Sequence, residues 1–422
     1  MSKEESSEKG VKPEKQETSY VEVLDLSNQK QLVGDSKGKA IEELSAEERT
    51  RAERRLLWKL DIRFLPTIIL IYIMNYIDRN AITTARLKGL EQDLGLTDDQ
   101  YNFVVAILFT SYCTAQIPSN MLLNRLTKPS VYIAVCVIAW GITSALSGVT
   151  HNYAGILVCR VFIGFPECAF YPGTIYLLSR WYTRKELSFR TSILFAGLLC
   201  SNAFGSLMAA GILSNMEGKM GIRGWRWLFY IEGSITVTVG FLSLWSLPDL
   251  PHNTRWLTPT ERLLAQARMS EDAGEADQDV SGESVWLGLK LALTDYKVYI
   301  FSLMNTAQLV GLSFAYFFPT LTATLGYNTT VTLLIAAPPW IFAALLCSLN
   351  ALHADRTGER FLHIIWPWWG TVIGYIIAIC TFSTAGRYFS LFLLANGHAG
   401  FALTLAWTAN TIPARLQNAQ HP

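Results

Sequence analysis

The chain has 422 residues, of which 50% are hydrophobic and 16% charged, with a mean hydropathy of +0.25. A soluble globular protein carries about 25% charged residues, so this composition argues against an ordinary soluble protein and for a polytopic membrane protein. The 35 basic and 34 acidic side chains nearly cancel, so net charge gives no reason to expect a nucleic-acid partner. The seven Cys all lie in apolar stretches and read as small core residues, not as a disulfide framework or a metal site.

Residues 1–44 are rich in Lys, Glu, Ser and Gly and lack a sustained apolar run, which predicts a disordered cytoplasmic tail without a cleavable signal. "GDSKGK" from Gly34 is one residue short of a phosphate-cradling loop and is read as part of that tail. "SAEE" is a capping box in which Ser45 and Glu48 satisfy each other's backbone donors, opening a basic juxtamembrane helix over 45–63. Spanning the hydrocarbon takes about 20 apolar helical residues. On that ruler spans lie near 64–85, 101–123, 130–150, 153–180, 189–213 and 227–247, then 297–321, 330–352, 362–383 and 387–410. The first group forms an N-terminal bundle over 64–247. A hydrophilic linker, 248–296, separates it from an incomplete C-terminal bundle over 297–410, and a divergent tail, 411–422, closes the chain.

Thirteen Lys and Arg fall on the N-terminal side of the membrane against six on the other. This bias predicts a cytoplasmic N-terminus and linker. The sequon at Asn328 then lies outside, as a glycosylation site requires.

Span one contains "IMNYIDRNAI", Ile73 to Ile82. A helix stopping at Ile77 would leave 14 residues from Phe64, about 21 Å against roughly 30 Å of hydrocarbon. The helix therefore continues, and its polar residues face a cavity. A charge in hydrocarbon costs about 2.5–3.5 kcal/mol on insertion scales, so it persists where a cavity or partner offsets it. Asn75 and Arg79 share a face, while Asp78 points about 100° away from Arg79. Asp78 and Arg160 lie at matching depths and are expected to pair, which leaves Arg79 to hold an anion. Glu167, at mid-membrane, is either a proton site or a structural hydrogen-bonding group. Gly164 allows close approach of a neighbouring helix, and Pro166 kinks span four.

"DRTGER" (Asp355 to Arg360) is similar to the cytoplasmic loop signature of the major facilitator superfamily. "NYIDR", "RVFIGFPECAFYPGTIYLLSRWYTRKE", "GWRWLFYIEG", "FFPTLTATLGY" and "APPW" sharpen the match. Together these resemble the fungal allantoate permease and nicotinate transporter group of anion:cation symporters, over about residues 50–412. The resemblance implies an all-α membrane protein of major facilitator-type bundles, with six N-terminal spans and four of an expected six C-terminal spans. Asn124 stands where the superfamily signature usually has an acidic residue. The family-like sequence stops at Asn410 to Pro413, short of the family's twelve spans. If family geometry applies, spans one, four, seven and ten line the cavity, adding Asn305, Gln308, Tyr316, Asn396 and His398 as candidates. Asp355, Arg356 and Arg360 are then expected to form a cytoplasmic gate in the outward-open state.

The resulting expectation is a proton-coupled secondary transporter of a small organic anion, a monomer in the plasma membrane. Arg79, Asn75, Asn305, Gln308, Tyr316 and His398 hold substrate, and Glu167 or Asp78 accepts the proton. The implied partners are anion, protons and lipid, with no cofactor or metal. A non-transporting nutrient sensor and a non-functional truncated product remain alternatives. A membrane enzyme is disfavoured because no nucleophile elbow, metal-ligand cluster or catalytic carboxylate pair is evident.

Overall fold

The computed structural model describes residues 45–123, 125–274 and 293–411; the sequence-based readings for 1–44, Asn124 and 412–422 lie outside the described residues. Within them all regular secondary structure is helical. Helix α1, Ala46–Arg86, joins the juxtamembrane segment and span one into one 41-residue rod, opened by the Ser45/Glu48 capping box. It is followed by the short α2, Leu90–Leu94, and then by α3, Asp98–Leu123, and α4, Pro129–Ser147. Span four is split into α5, Tyr153–Glu167, and α6, Phe170–Trp181. Pro166 lacks the N–H that would continue the ladder, and the break falls two residues beyond it. Helices α7, Arg184–Asn215, and α8, Gly224–Ser246, complete the N-terminal bundle.

The linker contains α9, Pro259–Gly274. Span seven is discontinuous: α10, Tyr296–Leu312, passes through a 3₁₀ turn, Ser313–Phe317, into α11, Phe318–Ala323, with Pro319 in its first turn. Helices α12, Thr329–Thr357, α13, Phe361–Cys380, and α14, Thr384–Thr411, follow. Eight of the described helical stretches are long and apolar enough to cross a membrane by length and composition. Span one, within α1, and span two, α3, are not among the eight. Both pack within the same bundle, and both bury polar residues among apolar ones, Asn75 and Asp78 in α1 and Ser111 and Ser119 in α3.

Within the N-terminal bundle α4 packs along α8, α3 along α5, and α1 along α7 and α8. Small residues set these distances. A Cβ added at Gly164 would stand 2.1 Å from Ser111 Oγ and 2.6 Å from the Leu108 carbonyl, and one at Gly233 would stand 2.6 Å from Ala145 N. The close approach expected at Gly164 is thus present. Trp140, Trp181, Trp225 and Trp340 fill the interior. By contrast α13 turns Leu362, Trp369, Ile376 and Ile379 outward. Continuous apolar exposure of this kind suits a lipid environment.

The two bundles meet chiefly where α7 packs along α12. Leu333 of α12 is fully buried and joins the cluster that contains Ala209, Ala210 and Leu213 of α7. At the end carrying the N-terminus, α9 is clamped to the N-terminal bundle by ion pairs Lys59–Glu261 (2.9 Å), Arg49–Glu271 (2.5 Å) and Arg268–Glu186. Beside them Arg190 donates through Nε and Nη2 to the two oxygens of Asp61, at 2.9 and 2.8 Å, with Tyr182 also donating to Asp61.

Candidate functional site

Asn75 and Arg79, four residues apart on α1, both turn toward Glu167 at the C-terminal end of α5. Arg79 donates to Glu167 Oε1 through Nε at 2.8 Å and approaches it with Nη2 at 2.5 Å, while Asn75 Nδ2 donates to the same oxygen at 2.9 Å. The Arg79 side chain is 10% exposed and that of Glu167 1%. Glu167 Oε2 has no hydrogen-bond partner among the described residues. The expectation that Arg79 is unengaged is therefore corrected: it is neutralised by Glu167. Pairing offsets the cost of a desolvated guanidinium, and Glu167 is the carboxylate that the α5–α6 break brings within reach.

An aromatic enclosure surrounds the guanidinium. The Arg79 Cζ lies 5.0 Å from the ring centre of Tyr76, 5.1 Å from Tyr112 and 5.6 Å from Phe109. Tyr316, on the 3₁₀ turn of span seven, meets Phe109 edge-on at 5.4 Å, and so joins the C-terminal bundle to the site. Ring faces attract cations within about 6 Å, more strongly where water is excluded. Sequence reasoning singled out Tyr316 but missed Tyr76, Phe109 and Tyr112. The spacing signal was available: Tyr76 stands three residues before Arg79, and Phe109 and Tyr112 stand three apart on α3.

The expected Asp78–Arg160 ion pair is also corrected. Asp78 accepts from Ser144 Oγ (2.8 Å) and Trp140 Nε1 (3.2 Å) of α4 and from Thr236 Oγ1 of α8 (2.6 Å). Arg160 instead donates from Nη1 to the backbone carbonyl of Arg79 at 3.3 Å, and its Nε and Nη2 have no described partner. Matching depth placed the two at one height, but rotation about the helix axis decides contact, and Asp78 faces α4 and α8.

The remaining candidates lie apart. Asn305 donates to the Phe301 carbonyl of its own helix, and Gln308 to Thr404 of α14; their side-chain oxygens have no described partner. His398 is packed edge-on against Phe314 and Trp340, with Nδ1 at the Ala395 carbonyl. These contacts are all internal to the C-terminal bundle. Arg356 is exposed, and among the described side chains neither Arg356 nor Arg360 has an ionic partner; the side chain of Asp355 lies outside them. Asn328 is exposed and caps α12 through Oδ1, which accepts from Val331 N at 2.9 Å.

A residue that no sequence argument assigned is Glu232 of α8. It is 1% exposed, its Oε2 has no described partner, and it lines a cavity of about 30 Å³ between the bundles. Its only sequence signal was a carboxyl eight residues into an apolar span.

Two helical bundles joined along one seam, with a buried ion pair and polar cavity beside it, define a multi-pass membrane protein of the carrier class. The Major Facilitator Superfamily profile matches residues 68–420. The chain belongs to that superfamily. It is 34% identical over 374 residues to the MFS-type transporter cnsO of Penicillium expansum, covering 86% of this chain and 71% of the relative. It is 32% identical over 315 residues to a candidate tartrate transporter of Agrobacterium vitis, covering 74% and 68%. Among solved structures, a bacterial homologue of the human lysosomal transporter Spinster, inward-facing and unoccupied, superposes with a TM-score of 0.64 at 17% identity, covering 87% of this chain and 76% of that one. The resemblance to allantoate permeases and nicotinate transporters is finer than these matches.

Proposed function

We propose that the chain carries a small organic anion by proton-coupled secondary transport, with Arg79 as the anion-binding cation and Glu167 as the group that gates it. The observation that carries this reading is the Arg79–Glu167 pair: one carboxylate oxygen holds Arg79 and Asn75, and the other has no described partner. Protonation at that second oxygen removes the charge that neutralises Arg79. The guanidinium then offers its fork to a substrate carboxylate, so that proton and anion enter together. Tyr76, Tyr112 and Tyr316 supply an apolar wall with hydroxyls at its edge.

The relative named for tartrate supports a carboxylate as the class of anion. The quoted motifs support the allantoate and nicotinate group, and Gln308, Asn305 and His398 extend the site if the bundles close further. The Lys and Arg bias supports a cytoplasmic N-terminus, and exposed Asn328 fits a plasma-membrane protein glycosylated outside. Rocking of two bundles about a midplane site is the alternating-access scheme of carriers with repeated bundles.

The test is uptake of labelled carboxylates by cells expressing the chain. Arg79→Ala is expected to lower uptake about tenfold or more, since one lost charge-assisted contact exceeds 1.4 kcal/mol. Glu167→Gln is expected to flatten the pH dependence. Unchanged uptake in Arg79→Ala at equal surface abundance would overturn the role given to Arg79.

A further inference from the structure

Apart from Arg190, which is paired with Asp61, and Asp249 beside Ser130, the charges buried in the N-terminal bundle form one cluster of two cations, Arg79 and Arg160, and three carboxyl groups, Asp78, Glu167 and Glu232. If all were ionised, this low-dielectric interior would carry one uncompensated negative charge, which is costly unless a proton neutralises it. The hydrogen bonds tell the three carboxyls apart. Asp78 receives three donors, and Glu167 receives Arg79 and Asn75. Glu232 forms no ion pair among the described residues, and its Oε2 has no donor. The donors that would stabilise an ionised carboxylate are therefore found at the other two.

The surroundings of Glu232 give such a proton somewhere to go. Its cavity of about 30 Å³ is lined from α1 by Tyr76, Asn80, Thr83 and Thr84, from α7 by Asn202 and Ser206, and from the C-terminal bundle by Phe318 and Trp340. A water needs about 10–15 Å³ by this measure and two to four polar partners, so the space suits one or two waters. Tyr76 is common to both places: it lines this cavity, and its ring centre lies 5.0 Å from the Arg79 Cζ. The titratable groups facing Glu232 are Asp78 of α1 and Arg160 of α5, with Tyr76 across the cavity. Because α7 and the C-terminal bundle each supply a wall, movement at the seam changes the water available to this carboxyl.

We infer that Glu232 is a second, proton-binding site: a neutral carboxylic acid in this conformation, which exchanges its proton through the inter-bundle cavity. Its part in coupling rests on the carrier reading above, but the site can be tested without flux. The experiment is infrared difference spectroscopy of the purified full chain in detergent, in light and heavy water. The expected result is a carboxylic-acid carbonyl band at neutral pH that shifts in heavy water, disappears in Glu232→Gln and persists in Glu167→Gln. Absence of the band in the wild type, or its survival in Glu232→Gln, overturns the assignment. A folding control comes with the same variant. Gln is the neutral isostere of the protonated acid, so Glu232→Gln is expected to keep the wild-type melting temperature at neutral pH, whereas a fall of several degrees would mean that an ionised carboxylate was lost. In proteoliposomes, the ratio of carboxylate uptake at acidic to neutral pH is expected to fall toward one in Glu232→Gln. Should the wild type show the band but no uptake, the carrier reading fails while the site stands.

Discussion

Arg79 illustrates why a charge count alone misreads a buried residue. Its isolation in an apolar stretch was visible in the sequence, as was that of Glu167, but the bond between them depends on where the α5–α6 break leaves the carboxyl. The Asp78 error is of the same kind: sequence gives a residue's height in the membrane far better than its bearing around the helix axis. Two substitutions follow at this scale. Arg79→Lys keeps the charge but loses the planar fork that serves Glu167 and the three rings, so carboxylate uptake is expected to fall about tenfold at equal abundance. Gly164→Ala puts a methyl against Ser111 Oγ and the Leu108 carbonyl. Overpacking of this sort costs about 1–3 kcal/mol, read as a lower melting temperature in detergent. Ser111→Ala is expected to rescue it only in part, because the carbonyl contact remains.

The linker helix α9 is an element whose position rests on charge. Glu261 accepts from Thr258 N at 2.8 Å as a helix cap and from Lys59 across to α1. Burial opposes its ionisation, but the donors from Thr258 and Lys59 outweigh burial and hold the carboxyl below its ordinary 4.5. A lowered folded-state value means the stabilisation is present above 4.5 and is lost as pH falls through the folded-state value. Hydrogen exchange of α9 is thus expected to speed up in acid. Lys59→Glu is expected to loosen α9 at neutral pH by about 0.2–1 kcal/mol, as for other partly exposed pairs. Adding Glu261→Lys restores the pair but not the cap, so exchange recovers only partly. The capping box that opens α1 was legible because both partners sit three residues apart. The clamps on α9 were not, since Lys59 and Glu261 are 202 residues apart. The 3₁₀ turn in span seven also escaped sequence reading, because "SFAYF" is as apolar as any helical stretch.

At the scale of the molecule, bundles and spans follow from apolar runs of membrane length, which is why the architecture was legible and the seam was not. Contact of α7 with α12 depends on which residues share the seam, here Ala209 and Ala210 of α7 in one buried cluster with Leu333 of α12. Phe109 and Tyr316 meet across the bundles at 5.4 Å. Cysteines at these two positions, joined by a short bis-methanethiosulfonate linker that forms a disulfide with each, are expected to block carboxylate uptake and to release it when the disulfides are reduced.

Asp78 gives this picture a mechanical side. A carboxylate that takes hydrogen bonds from Trp140, Ser144 and Thr236 fastens three helices, α1, α4 and α8, at one point inside the bundle. It acts as a rivet, and a riveted block transmits torque without absorbing it. If the two bundles rock against each other as proposed, three helices pinned at one point move as a single piece, and bending inside the N-terminal bundle is resisted. Asp78→Asn is expected to loosen this junction, read as faster hydrogen exchange in α4 and α8, while the Arg79–Glu167 contact stays in place.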